Sequence, residues 1–181
     1  MILKRGLVQV YSGAGKGKTT AALGLAWRML GTGGKVYVCQ FLKPAERYTG
    51  EAKLAEGLGE RLRWERLEVK WDMLSSEHDP EQMRRMTTAV NEKLKQIKEL
   101  AVGGEYDLII LDEIIVCLKL GMDCREELDA VLDERAEHVE VVLTGRGADE
   151  ALIERADLAT EMQEVKHPFA QGVAARRGIE Y

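Results

Sequence analysis

The chain has 181 residues, of which 45% are hydrophobic and 31% charged, with a formal net charge of −5. That is enough for one domain spanning residues 1–181 with a substantial core, and the acidic balance with scattered basic residues argues against a general nucleic-acid surface. No apolar run approaches the roughly 18 residues of a membrane helix, and Met1-Ile2-Leu3-Lys4-Arg5 lacks a signal-peptide core, so a soluble cytoplasmic protein is expected, without membrane or nucleic-acid partners.

The first predicted strand is Leu7–Tyr11, and a glycine-rich turn follows it: Gly13-Ala14-Gly15-Lys16-Gly17-Lys18-Thr19-Thr20. A helix then runs to about Leu30 and stops at Gly31, with Gly33 and Gly34 turning the chain into a strand over Val36–Phe41. A third strand is expected over Leu62–Val69. The longest helix should start at Asp79 as cap, with Pro80 in its first turn and Gln82 at capping-box spacing. Its apolar residues Met83, Met86, Val90, Leu94, Ile97 and Ala101 step by three or four and form one core stripe, and Gly103-Gly104 ends it. Strands follow at Leu108–Asp112, Glu140–Thr144 and Leu158–Met162. Short apolar runs separated by helical periodicity predict an α/β fold, a mostly parallel six-stranded sheet flanked by helices on both faces.

Cys39, Cys117 and Cys124 show no metal-ligand or disulfide spacing, so reduced thiols are expected, with Cys39 in a buried strand. His78, His138 and His167 are far apart in sequence and show no metal-ligand spacing, and most of them are expected as surface or capping residues.

The turn between the first strand and the first helix is a phosphate cradle. Glycines let successive N–H groups face an anion, and the helix adds its positive end. Lys18 supplies a mobile charge, and the Thr19 hydroxyl can hold magnesium. A nucleoside triphosphate is the expected ligand. The loop is one residue short, however: Gly13 and Gly17 enclose three residues where the common form has four, and Ser12 stands where the fourth would require glycine. Shortening changes which phosphate meets which N–H, so the terminal phosphate is not automatically the reacting group.

Leu108-Ile109-Ile110-Leu111 ends in Asp112-Glu113, acids that such a fold places beside its cradle to manage magnesium. Neighbours on an extended strand point opposite ways, so one acid is expected as ligand and the other as support unless the strand has already turned. Arg146, between Gly145 and Gly147 after the strand ending at Thr144, lies where ligands meet the carboxyl ends of strands. A rival reading of the same residues is a P-loop ATPase or kinase acting on the terminal phosphoryl group, with Asp112 on magnesium and Glu113 as base.

Together these residues resemble the corrinoid adenosyltransferase family of P-loop type. The resemblance runs through the short cradle Gly13–Thr20 with Ala21-Ala22, Val38-Cys39-Gln40-Phe41-Leu42-Lys43, Gly50-Glu51, Leu111-Asp112-Glu113 and Leu143-Thr144-Gly145-Arg146-Gly147. It closes with Val165-Lys166-His167-Pro168-Phe169, Gly172, Ala175 and Gly178-Ile179-Glu180-Tyr181. It implies a P-loop NTPase, RecA-like fold and a homodimer. It also implies transfer of the 5′-deoxyadenosyl group of ATP to the Co(I) centre of cobalamin or a cobinamide-type precursor, with release of triphosphate. ATP would lie reversed, so that its 5′ carbon faces the corrinoid.

By the same resemblance Gly13, Ala14, Gly15, Lys16, Gly17, Lys18, Thr19 and Thr20 bind ATP, with Arg28 and Arg146 as further contacts. Lys18 and Glu113 are the catalytic pair, and Thr19, Glu113 and Asp112 serve magnesium (Mg2+). A reduced flavoprotein is the kind of electron donor implied. Removal of the lower cobalt ligand, which eases reduction to Co(I), falls in the family to an aromatic pair. Trp71 aligns with its second member and Val69 with its first, a departure that implies displacement of the lower ligand either weaker here or shared with Trp64 or Met73. Ala14 stands where asparagine is frequent. Only six residues precede Leu7, where the family carries an extension able to cover the site, so closure is expected to be looser or supplied by another segment.

Overall fold

The computed structural model describes residues 2–43, 49–67, 69, 71 and 79–180. Met73, His78 and Tyr181, and the part of the third predicted strand at residue 68, lie outside the described residues. Six strands form one sheet: β1 Val8–Ser12, β2 Val36–Gln40, β3 Leu62–Arg66, β4 Leu108–Asp112, β5 Glu140–Thr144 and β6 Leu158–Glu161. Their order is β3-β2-β4-β5-β1-β6 and every pairing is parallel. All six expected strands are present. β3 ends at Arg66, short of the expected Val69, and the others agree to within a residue at each end.

Alternation along the strands assigns side chains to two cores. Val8, Val10, Tyr37, Cys39, Ile109, Leu111, Val141 and Leu143 face α3 (Pro80–Gly103), α4 (Ile114–Lys119), α5 (Arg125–Glu134) and α6 (Glu150–Arg155). Tyr11, Val36, Val38, Leu108, Ile110 and Val142 face α1 (Lys18–Gly31) through Ala22, Ala26 and Leu30. Central strands buried on both sides read as continuous apolar runs, which is why β4 and β5 were legible to the residue.

The start of α3 follows its local chemistry. The Asp79 carboxylate accepts from the N–H groups of Glu81 and Gln82, Pro80 occupies the first turn, and Gly104 ends the helix at φ 63°. Met86, Val90, Leu94, Ile97 and Ala101 are buried, as their spacing predicts. The three cysteines are buried thiols, and burial pushes Cys39 up to about 12. Among the described residues no helix is long and apolar enough to cross a membrane.

Candidate active site

Parallel strands bring their carboxyl ends to one edge of the sheet. Register does the fine placement there: Gln40 is the Cα partner of Asp112, and Tyr11 that of Thr144. The loop after β1, the ends of β2 and β4 and the turn after β5 therefore converge. Around them lies a recess of about 570 Å³ lined by Ala14–Thr20, Lys43, Gly50, Glu51, Glu113, Arg146 and a returning C-terminal segment.

The loop geometry explains the glycines in part by packing. The Gly15 N–H donates to the Met162 carbonyl at 2.6 Å, and a Cβ on Gly15 would lie 2.7 Å from the carbonyl oxygens of Met162 and Gln163. Two backbones meet here with no room for a side chain, so Gly15 serves the exit of β6. Gly17 opens α1 at φ 114°, a left-handed conformation that glycine adopts without strain. The Lys18 ammonium is buried and donates to the carbonyls of Gly13 at 2.8 Å and Gly15 at 2.7 Å. An ammonium has three N–H groups, so one remains for a ligand. Burial lowers the Lys18 pKa, with Glu113 and Asp112 opposing that shift and Arg146 adding to it.

Asp112 and Glu113 take different places, and a turn at residue 113 sets which is which. Asp112 is fully buried. Its Oδ1 accepts from the hydroxyls of Thr19 and Thr144, each at 2.7 Å, and its Oδ2 accepts from Gln40 Nε2 at 2.9 Å and Lys43 Nζ at 2.7 Å. Burial alone would raise this carboxyl; the Lys43 charge and the hydrogen bonds from Lys43, Thr144 and Thr19 outweigh it and hold the pKa below the usual range. Asp112 therefore does not line the recess.

Glu113 does line it. At φ 68° it is the only non-glycine residue with positive φ among those described, and its N–H donates to Thr144 Oγ1 at 3.0 Å. The strand has turned, which swings the carboxylate into the recess. Burial and then the Asp112 charge raise its pKa, opposed by Lys43, Lys18 and Arg146. A carboxyl raised in the folded state contributes stability below its unfolded pKa and loses it as pH rises through the folded value. Glu113→Gln is therefore expected to raise the melting temperature of the ligand-free protein near neutral pH, with the gain vanishing at acid pH where the carboxyl is already protonated. A gain of the same size at both pH values, in thermal melts, would count against a charge effect.

The buried amide of Gln40 bridges outward. It donates to Asp112 and accepts from Arg66 Nε at 3.0 Å, while Arg66 also donates to Thr49 Oγ1 at 2.6 Å, at the start of α2 (Gly50–Glu56). Thr49 and Arg66 line a larger recess of about 1240 Å³ between α2, β3 and α3, together with Trp64, Val69 and Lys93. The two recesses meet at α2, since Gly50 and Glu51 line the smaller one.

Of the residues expected at the site, Ala14–Thr20, Glu113 and Arg146 come together around the smaller recess, while Gly13 is not part of its lining. Arg28 does not: it sits near the far end of α1 and lines a separate recess with Ile2, Gln9, Leu25 and Met29. Ten residues of helix separate it from Lys18, about 15 Å at the usual rise, so within one protomer it is not a contact of this recess. Trp71 is buried in the larger core, which also holds Phe41, Leu42 and Met86, and Val69 packs against that core. Sequence reasoning missed Gln40, Lys43 and the C-terminal contributors Glu164 and Gly178–Glu180. Gln40 carried a signal, a polar residue closing an otherwise apolar strand.

A protein-family model for the ATP:corrinoid adenosyltransferases BtuR/CobO/CobP matches residues 4–181. A corrinoid adenosyltransferase of Escherichia coli K12 is 36% identical over 178 residues, covering 98% of this chain and 87% of the relative. One from Pseudomonas aeruginosa is 36% identical over 190 residues, covering 98% and 85%. The corrinoid adenosyltransferase CobA of Salmonella typhimurium is 34% identical over 178 residues, covering 98% and 87%.

Proposed function

The chain belongs to the ATP:corrinoid adenosyltransferase family, a transferase that adenosylates a corrinoid cobalt centre at the expense of ATP, and from that premise we propose how its residues divide the work. The domain is a single P-loop unit of RecA-like type. ATP occupies the smaller recess with its triphosphate on Gly13–Thr20, reversed so that the 5′ carbon faces outward to the corrinoid. The one-residue-short loop is the observation that carries this reading, because it lines the recess and breaks the spacing by which the common loop seats a terminal phosphate.

A Co(I) centre is a strong nucleophile, so the protein's task is to hold the 5′ carbon in line and to stabilise triphosphate as it leaves. Lys18 offers its remaining N–H to the triphosphate. The guanidinium of Arg146 lines the recess and has no hydrogen-bonded partner among the described residues, which suits it to the same anion.

The residues fit a magnesium ion. The Glu113 carboxylate faces the recess and accepts no hydrogen bond from a described residue. Its raised pKa marks a charge awaiting compensation. Thr19 spends its proton on Asp112, which leaves its hydroxyl oxygen to a cation. Among the described residues no three carboxylate, histidine or cysteine groups cluster as a complete metal site, in keeping with an ion held largely by phosphate oxygens. Bound there, magnesium would neutralise charge on the triphosphate. Asp112 acts on it only by orienting Thr19.

The corrinoid is received on the side of Val69 and Trp71, through the larger recess that adjoins the nucleotide at α2. Contact with Trp71 requires the indole to leave its core packing. A homodimer and a reduced flavoprotein as electron donor complete the reading, on family resemblance. Anaerobic incubation with ATP, magnesium and chemically reduced cobalamin tests it. The expected products are adenosylcobalamin and intact triphosphate; orthophosphate or diphosphate with no cobalt–carbon bond would move the assignment to phosphoryl transfer.

A further inference from the structure

The C-terminal segment after β6 forms an arch tied to the glycine loop at both ends. Near its start the Met162 carbonyl accepts from Gly15 N–H at 2.6 Å, and near its end the Ile179 carbonyl accepts from Lys16 Nζ at 3.4 Å. His167 stands between these anchors, half-buried, and lines the smaller recess with Lys18, Lys43 and Arg146. It precedes a short 3-10 turn, Pro168–Gln171, and its Nδ1 accepts from Phe169 N–H at 3.2 Å. The expectation of a capping histidine is met at this nitrogen.

A nitrogen that accepts cannot also carry the proton, so the neutral ring bears its hydrogen on Nε2. We propose that His167 Nε2–H is a binding donor to the triphosphate oxygens of the nucleotide, a proposal that rests on the placement of ATP in this recess. The donor balance supports it. Lys18 has two N–H groups on loop carbonyls, Lys43 is paired with Asp112 and Lys16 reaches Ile179. Beyond these stand the remaining N–H of Lys18 and the guanidinium of Arg146 on the cradle side; a triphosphate rich in acceptor oxygens takes further donors, and the arch delivers one from the opposite side. The contact is a hydrogen bond alone; no proton is transferred.

Full-length wild type, His167→Asn and His167→Ala separate the two nitrogens. The asparagine oxygen can still cap Phe169 N–H but places no donor where Nε2 lies. The measurements are KM for ATP in adenosyl transfer, inhibition by inorganic triphosphate, and thermal melting. His167→Asn is expected to melt with wild type while KM and the triphosphate inhibition constant rise together by roughly 10- to 100-fold, the range for a hydrogen bond to a charged acceptor. His167→Ala should show the same losses with a lowered melting temperature besides. Unchanged triphosphate inhibition in His167→Asn, or a loss matched by a fall in melting temperature, would make His167 a cap only and overturn the proposal. A wild-type protein that neither transfers an adenosyl group nor responds to triphosphate would overturn instead the reading on which it rests.

Discussion

Asp112→Ala is expected to lower the unfolding free energy by about 3–5 kcal/mol, the range for removing one partner of a buried ion pair. The carboxylate is the common acceptor for Thr19, Thr144, Gln40 and Lys43, so its loss strands an ammonium and three neutral donors beneath the smaller recess. Asp112→Asn keeps the shape but sets an amide against donors, and should be nearly as costly because Lys43 loses its counter-charge. The pKa of Asp112 is lowered in the fold. Its contribution is therefore complete above the unfolded carboxyl value near about 4 and is lost as pH falls through the folded value. Urea denaturation of wild type and variant near neutral pH and in acid reads both effects. A penalty under about 1 kcal/mol at neutral pH, the scale of an exposed pair, would show that water replaces the carboxylate and that the network is dispensable.

The largest effect on catalysis is expected from Lys18→Ala, a fall in adenosyl transfer of about 10²–10³ or more, as for removal of a group that stabilises developing charge. Lys18 is held in place before any ligand arrives, by the carbonyls of Gly13 and Gly15, so little reorganisation is needed when the triphosphate departs. Its burial already disfavours the charged form, so removing the side chain forfeits two hydrogen bonds but relieves a desolvation cost. The fold should be far less affected than the rate. Lys18→Arg is not expected to rescue, because a planar fork does not fit a tetrahedral ammonium's seat between two loop carbonyls. The decisive measurement is the anaerobic rate with chemically reduced corrinoid, which bypasses the electron donor. A loss within tenfold would mean that the loop amides and magnesium carry the leaving group without it.

The sequence by itself determined the six strands, the first and longest helices, and the places of the glycine loop and the acid pair at the ends of β1 and β4. These are local properties. Apolar alternation, the Asp79-Pro80 helix start and the spacing of Gly13, Gly17 and Lys18 are written in neighbouring residues and hold wherever the segment lands. The tertiary structure alone decided that Asp112 is the enclosed carboxylate and Glu113 the one in the recess, because a left-handed turn at residue 113 and donors from three other stretches of chain set the direction of each side chain. It alone removed Arg28 to the far end of α1 and buried Trp71 in the core. It also drew Gln40 into the site through strand register and brought His167 back over the loop. Each of these depends on which distant segments lie side by side, a relation that local periodicity does not encode.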